Sequence, residues 1–140
     1  MITFEDVKNR KYIEGVGRRK ETTARVRIYQ LNKDEKPFFI INNKDASKYF
    51  DEFDLQYILY PFHVVNLQGK FGISVWIKGG GMTGWKDAIR LGLARALVKH
   101  DQNLKPALRK EGLLTRDARV VERKKVGLKK ARKAPRWRKR

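Results

Sequence analysis

Apolar and polar positions alternate most clearly in ARVRIYQL, residues 24–31. Ala24, Val26 and Ile28 share one face there, and Arg25, Arg27 and Tyr29 share the other. A period of two predicts a half-buried strand. Residues 33–37, KDEKP, predict a turn, and the apolar run Phe38–Ile41 predicts a second strand forming a hairpin with the first. Between residues 46 and 60, Tyr49, Phe50, Phe53, Tyr57 and Ile58 recur at three- and four-residue spacings. That predicts a helical segment stopped by Pro61. Phe62–Leu67 reads as a strand and Gln68–Lys70 as a turn. Phe71–Lys78 reads as a second alternating strand, with Phe71, Ile73, Val75 and Ile77 on one side. A helix is predicted from about Trp85 to His100. Its apolar stripe is Trp85, Ile89, Gly92, Leu93 and Ala96, with Lys86 and Arg90 at the edge. A shorter helix over Pro106–Glu111 has proline in its first turn and Gly112 past its end. Beyond Leu114 the apolar periodicity fades.

This order of elements predicts an α/β two-layer sandwich, one mixed sheet with helices on one face. Residues 1–115 are expected to form a globular body and residues 116–140 an extended basic C-terminal arm. Fully extended, the arm would reach about 80 Å at about 3.3 Å per residue. The body's radius of gyration would be only about 13 Å.

Charge sharpens this division. The 140 residues carry 34 Lys and Arg against 15 Asp and Glu, a formal net of +19. Of this, +11 falls on residues 116–140 and +8 on the rest, and from Arg123 to Arg140 there is no acid at all. Such an imbalance attracts polyanions, and nucleic acid is the expected partner. There is no cysteine, which excludes disulfides and thiolate metal sites. No apolar run approaches the roughly 20 residues of a membrane span. The first residues lack an apolar signal core and carry Glu5, Asp6 and Glu14. The expectation is an intracellular chain with no membrane partner.

Three stretches bear on function. In GVGRRKETTARVR, residues 15–27, Gly15 and Gly17 free the backbone, and Arg18, Arg19 and Lys20 cluster before the first strand. Guanidinium groups fork onto phosphate oxygens, and Arg25 and Arg27 extend the same charge along the strand. In KGGGMTG, residues 78–84, Lys78, Gly79, Gly80 and Gly81 precede a helix whose N-terminus offers unpaired N–H groups. Thr83 is the expected N-cap. A nucleotide-binding kinase loop is the alternative reading, but the Walker spacing is missing. The third stretch runs from Leu113 to the end. Its cations are Arg116, Arg119, Arg123, Lys124, Lys125, Lys129, Lys130, Arg132, Lys133, Arg136, Arg138, Lys139 and Arg140. Asp117 is expected to pair with Arg116 or Arg119, and Glu122 with Arg119 or Lys125. Trp137 between two arginines suits stacking on a base. His63 and His100 have no partner for metal binding or catalysis. Asp51, Glu52 and Asp54 are explained by helix polarity. No catalytic or metal-ligand constellation stands out, and no cofactor is expected.

GVGRRK…ARVR, VWIKGGGMTG, AIRLGLARAL and LTRDARVVERKKVGLKKARKAP, in this order, resemble the family of the ninth protein of the small ribosomal subunit, in its bacterial or organellar form. The resemblance covers Tyr12 to Arg140. It implies a non-enzymatic, structural role with small-subunit ribosomal RNA and neighbouring proteins of the subunit head as partners, in a cytoplasmic or organellar ribosome. It also implies a left-handed βαβ crossover, against the usual right-handed rule. The arm would thread through RNA, so that Arg138, Lys139 and Arg140 approach the anticodon stem-loop of the P-site tRNA. The rRNA contacts would be Arg18, Arg19, Lys20, Arg25, Arg27, Lys78, Gly79, Gly80, Gly81, Arg116, Arg119, Arg123, Lys124, Lys125, Lys129, Lys130, Arg132 and Lys133. Three positions depart from the family pattern. Trp85 replaces a glutamine, and Arg136 and Arg138 replace a glutamine and a serine. The last two raise the charge of the tail.

Overall fold

Three of the five strands among the described residues lie beside a neighbour distant in sequence, and this sets where the cationic side chains emerge. A computed structural model describes residues 2–138. Strands β1 (Ile13–Arg19) and β2 (Thr22–Gln30) form an antiparallel hairpin. Beyond them come β3 (Phe39–Ile41), β4 (Lys44–Asp45) and β5 (Phe71–Lys78). The sheet order is β1-β2-β5-β3-β4. β2 and β5 are antiparallel, β3 and β5 are parallel, and β3 and β4 are antiparallel, so the sheet is mixed. Among the described residues five α-helices accompany it: α1 (Phe4–Val7), α2 (Glu52–Ile58), α3 (Tyr60–Val64), α4 (Met82–His100) and α5 (Lys105–Lys110).

The core lies between the sheet and α2–α5. Ala24, Val26 and Ile28 from β2 and Ile73, Val75 and Ile77 from β5 meet Ile58, Phe62, Ile89, Leu93, Leu97 and Leu108 there. The alternation in β2 and β5 is therefore the alternation of core and opposite face, as expected of a sheet covered by helices. The one-turn helix α1 lies on the opposite face, where the Phe4 ring meets the edge of Trp76 at 5.4 Å.

Three expectations are corrected. The run at Phe38–Ile41 does not form a hairpin with Ala24–Leu31. Both edges of β2 are occupied, by β1 and by β5, so β3 pairs with β5 instead. Phe62–Leu67 is not a strand. Pro61 starts helix α3 rather than stopping a helix, because a proline in the first turn gives up an N–H that has no intrahelical partner. Gly15–Arg19 is not a loop before the first strand but belongs to a strand, β1.

The glycines of β1 have a packing cause. A β-carbon on Gly15 would lie 2.3 Å from the Gly92 carbonyl oxygen. On Gly17 it would lie 1.8 Å from that of Ala88. Ala88, Gly92 and Ala96 recur every fourth residue and form the narrow face of α4 that seats on β1. The outer carbonyls of this edge strand are also covered. Arg95 donates to the Val16 oxygen at 2.7 Å and Lys99 to the Glu14 oxygen at 2.8 Å. An edge closed by two side chains offers little to a foreign strand.

Candidate nucleic-acid interface

Strand alternation separates the three cations that sit together in sequence. Arg18 is opposite Thr23, and Thr23 is opposite Lys78. Directly opposed residues share a face. Arg18 and Lys78 therefore emerge together on the face away from α4, both exposed. Arg25 follows on the same face, opposite Trp76, and Arg27 stands opposite Glu14 and Ser74. Trp76 is 40% exposed and lies among these cations. Arg27 covers the Tyr12 ring at 4.3 Å. Helix α1, with Glu5 and Asp6, packs Phe4 on Trp76 and covers part of this face; beside it Arg18, Arg25 and Lys78 stand exposed, a patch suited to phosphate contact.

Glu14 organises this face. Its carboxylate accepts from Arg25 Nη2 at 3.1 Å and from Arg27 Nε at 3.0 Å. Burial opposes ionisation of Glu14, but these two arginines outweigh it and hold the carboxyl below its ordinary range. Arg25 remains more than half exposed despite the pair, whereas the Arg27 side chain is mostly buried.

The hairpin tip and the glycine loop form one end of the body. Arg19 pairs with Thr22, leaving Lys20 and Glu21 as a two-residue loop, with Lys20 at φ +50°. Gly79 and Gly80 have φ of +78° and +69°, the left-handed region that favours glycine. A β-carbon on Gly80 would meet the Thr22 hydroxyl oxygen at 1.9 Å. Thr22 Oγ1 donates to the Gly79 oxygen at 3.2 Å, and Trp85 Nε1 donates to the same oxygen at 3.1 Å. Gly79 and Gly80 are thus required by packing against the hairpin, and Gly81 is the open position. Gly81, not Thr83, is the N-cap of α4, and Thr83 lies inside the first turn. A groove of about 430 Å³ runs along this end, walled by Lys20, Glu21, Thr22, Gly80–Gly84, Val120 and Val121. It presents the positive end of a 19-residue helix.

Arg19 faces the other way. It is 9% exposed and donates to Asp87 and to the backbone oxygens of Asp117 and Arg119. Its proposed part in phosphate binding is not matched by an exposed guanidinium. Tyr57 donates to the other oxygen of Asp87 at 2.6 Å, and burial together with this bond pushes its phenol up to about 12.

Residues 116–138 contain no helix or strand. Arg116, Arg119, Arg123, Lys124, Lys129, Lys130, Arg132, Lys133, Arg136 and Arg138 are exposed, and Lys125 is half-buried. Asp117 pairs with Arg119 at 2.7 Å. Glu122 pairs with Lys125 and, at 2.9 Å, with Arg132. Gly127 at φ +78° lets the chain turn back, and Lys129 N–H donates to the Lys133 oxygen at 2.8 Å. Trp137 is 83% exposed. Lys139 and Arg140 lie outside the described residues. Among the described residues no group of acidic or histidine side chains is arranged to hold a metal ion, and no helix is long and apolar enough to cross a membrane.

Residues 17–140 match the profile of the family described as ribosomal protein S9/S16. The chain belongs to that family. Membership makes it a structural, RNA-binding component of the ribosome and not an enzyme, with ribosomal RNA and ribosomal proteins as its partners. It thereby places the chain in a ribosome of the cytoplasm or of an organelle. The kinase-like reading of the glycine loop falls with this, and the loop's packing gives it another cause. Sequence reading missed Trp76 and Tyr12 as parts of the basic face. Their signal was present, because Trp76 alternates with Val75 and Ile77, but the face it marks is defined only by the pairing of β5 with β2.

Proposed function

We propose that the chain is the ninth protein of the small subunit and binds that subunit's rRNA in the head, with its C-terminal tail reaching the P-site tRNA anticodon stem-loop. The observation that carries this reading is an exposed, acid-free run of cations from Arg123 to Arg138, on a body whose sheet face is also cationic. Arg18, Lys20, Arg25 and Lys78 would meet rRNA phosphates, with the backbone of Gly81 and the start of α4. The arm cations from Arg116 to Lys133 would follow the RNA away from the body. Arg138, Lys139 and Arg140 would end at the tRNA, and the cation-free parts of α2 and α3 leave room for neighbouring head proteins.

Affinity should come largely from counterion release and fall steeply with salt. Specificity should come from RNA shape and not from base reading. Deleting Arg138–Arg140 tests the tail: subunits should still assemble, with modestly weaker P-site tRNA binding. Unchanged tRNA affinity removes the tail's role, and failed assembly makes the tail architectural.

A further inference from the structure

Arg19 is the most buried cation among the described residues, and every partner it has is internal. Nε approaches Asp87 Oδ2 at 3.3 Å. Nη1 approaches Asp117 Oδ1 at 3.1 Å and donates to the Arg119 carbonyl oxygen at 2.8 Å and the Asp117 oxygen at 3.3 Å. Asp87 belongs to α4, whereas Asp117 and Arg119 lie about a hundred residues from Arg19, where regular structure has ended. One guanidinium therefore ties β1, α4 and the root of the arm together.

The tie is held from both sides. Asp87 is fixed by the Tyr57 hydroxyl, and Arg90 lies 4.1 Å over the Tyr57 ring. Asp117 is fixed by Arg119, whose side chain grips its carboxylate while the Arg119 backbone N–H donates to it at 3.0 Å. Immediately beyond, Val120 and Val121 wall the groove at the glycine loop. A buried guanidinium requires such acceptors, and its rigid fork reaches several at once, which a lysine cannot do.

We infer that Arg19 is a positioning residue that docks the arm root, Asp117–Val121, on the body and sets the direction in which the arm leaves. The docked root exists before any RNA is bound, whereas the hydrogen bonds and ion pairs of the described chain beyond Arg123 are local to the arm and do not reach the body. The arm then starts from a fixed point beside the glycine loop, and its cations continue the body's basic end instead of sweeping freely. This goes beyond RNA binding itself, because the docking needs no RNA.

The chain has no cysteine, so a single introduced cysteine carries the only spin label. Val121→Cys is suitable because Val121 is 83% exposed. Ala134→Cys reports the outer arm and Ala107→Cys the body. In the free, full-length protein the label at 121 should be immobilised like the one at 107, and the label at 134 should be mobile. Asp117→Asn and Arg19→Lys should release the label at 121 to several-fold faster motion, with the label at 107 unchanged. A label at 121 as mobile as that at 134, or one unaffected by Asp117→Asn, overturns the docking. Asp117 is partly exposed, so its variant should fold even if the Arg19 variant does not. A second readout rests on the RNA reading and fails separately from the spectra. Removing an acid should by simple electrostatics tighten binding to an rRNA fragment. Loss of positioning should weaken it. Weaker binding by Asp117→Asn at unchanged salt dependence supports the positioning role, and tighter binding contradicts it.

Discussion

Gly17 sits directly beneath Ala88, so close that a β-carbon would fall 1.8 Å from the Ala88 carbonyl oxygen and 2.6 Å from the Gly92 nitrogen. Both obstacles are helix backbone, which cannot swing aside as a side chain can. Gly17→Ala must lift α4 off β1, and α4 is the helix that covers β1 and β2. Overpacking of this kind costs about 1–3 kcal/mol, and backbone obstacles place it at the upper end. Urea unfolding should show a correspondingly lower midpoint with a similar slope. Gly69→Ala has open space around it but φ of +71°, so its cost is conformational and near 1 kcal/mol.

Lys20 and Lys78 flank the end of the sheet, exposed, and pair with no acid among the described residues. Each, changed to Gln, should weaken binding to an rRNA fragment and lower the slope of log affinity against log salt by about 1. Arg25 is partly held by Glu14, so Arg25→Gln should have the smaller effect. Equal slopes for all three would show that Glu14 does not tether Arg25 in solution.

Among the described residues six carboxyls, Asp6, Glu14, Glu35, Asp45, Asp117 and Glu122, are held below their ordinary range and together shape the acid behaviour. Hydrogen bonds from the Arg119 side chain and backbone hold Asp117 well below the usual range. Glu14 is lowered too, its arginine partners outweighing burial. A carboxyl whose folded pKa is depressed binds protons more readily when unfolded. Its contribution to stability is complete above the unfolded value and is lost as pH falls toward the folded one. Unfolding midpoints should therefore drop as pH falls below about 4 to 5, where these groups titrate when unfolded. Glu14→Gln should be less stable than the unaltered chain at pH 7 and should show a shallower acid decline. An identical acid decline would mean that Glu14 makes no such pair.

Trp85 holds the glycine loop through Nε1 and packs against Tyr49, with ring centroids 5.6 Å apart. Trp85→Phe keeps much of the packing and removes the donor. One hydrogen bond of this kind is worth about 1 kcal/mol. Amide exchange at Gly79–Gly81 should quicken while that in β2 stays unchanged. Uniform exchange across the body would place the effect in global stability instead.

Much of this was legible in the sequence, for identifiable reasons. β2, β5 and α4 each carry an unbroken apolar period, because one of their faces lies in the core. β1 carries none. Its inward positions after Ile13 are Gly15, Gly17 and Arg19, two backbone contacts and one buried ion cluster, so the residues that seat it look like a basic loop. α3 was hidden because a proline both ends and begins helices, and only packing decides which. The basic face was legible at Arg18, Arg25 and Lys78. Arg19 was not, since its place depends on the parity of the strand that was missed. Asp117 pairs with Arg119 and Glu122 with Lys125 as their spacing suggests, but Asp117 also pairs across the fold with Arg19, which spacing could not show.

The central claim is that this chain's cationic surface serves ribosomal RNA of the small subunit. Sedimentation of native lysate through a sucrose gradient at moderately high salt, probed for this chain, tests it most directly. Co-migration with the small subunit is the predicted result. A chain that migrates with the large subunit, or remains at the top of the gradient, contradicts it.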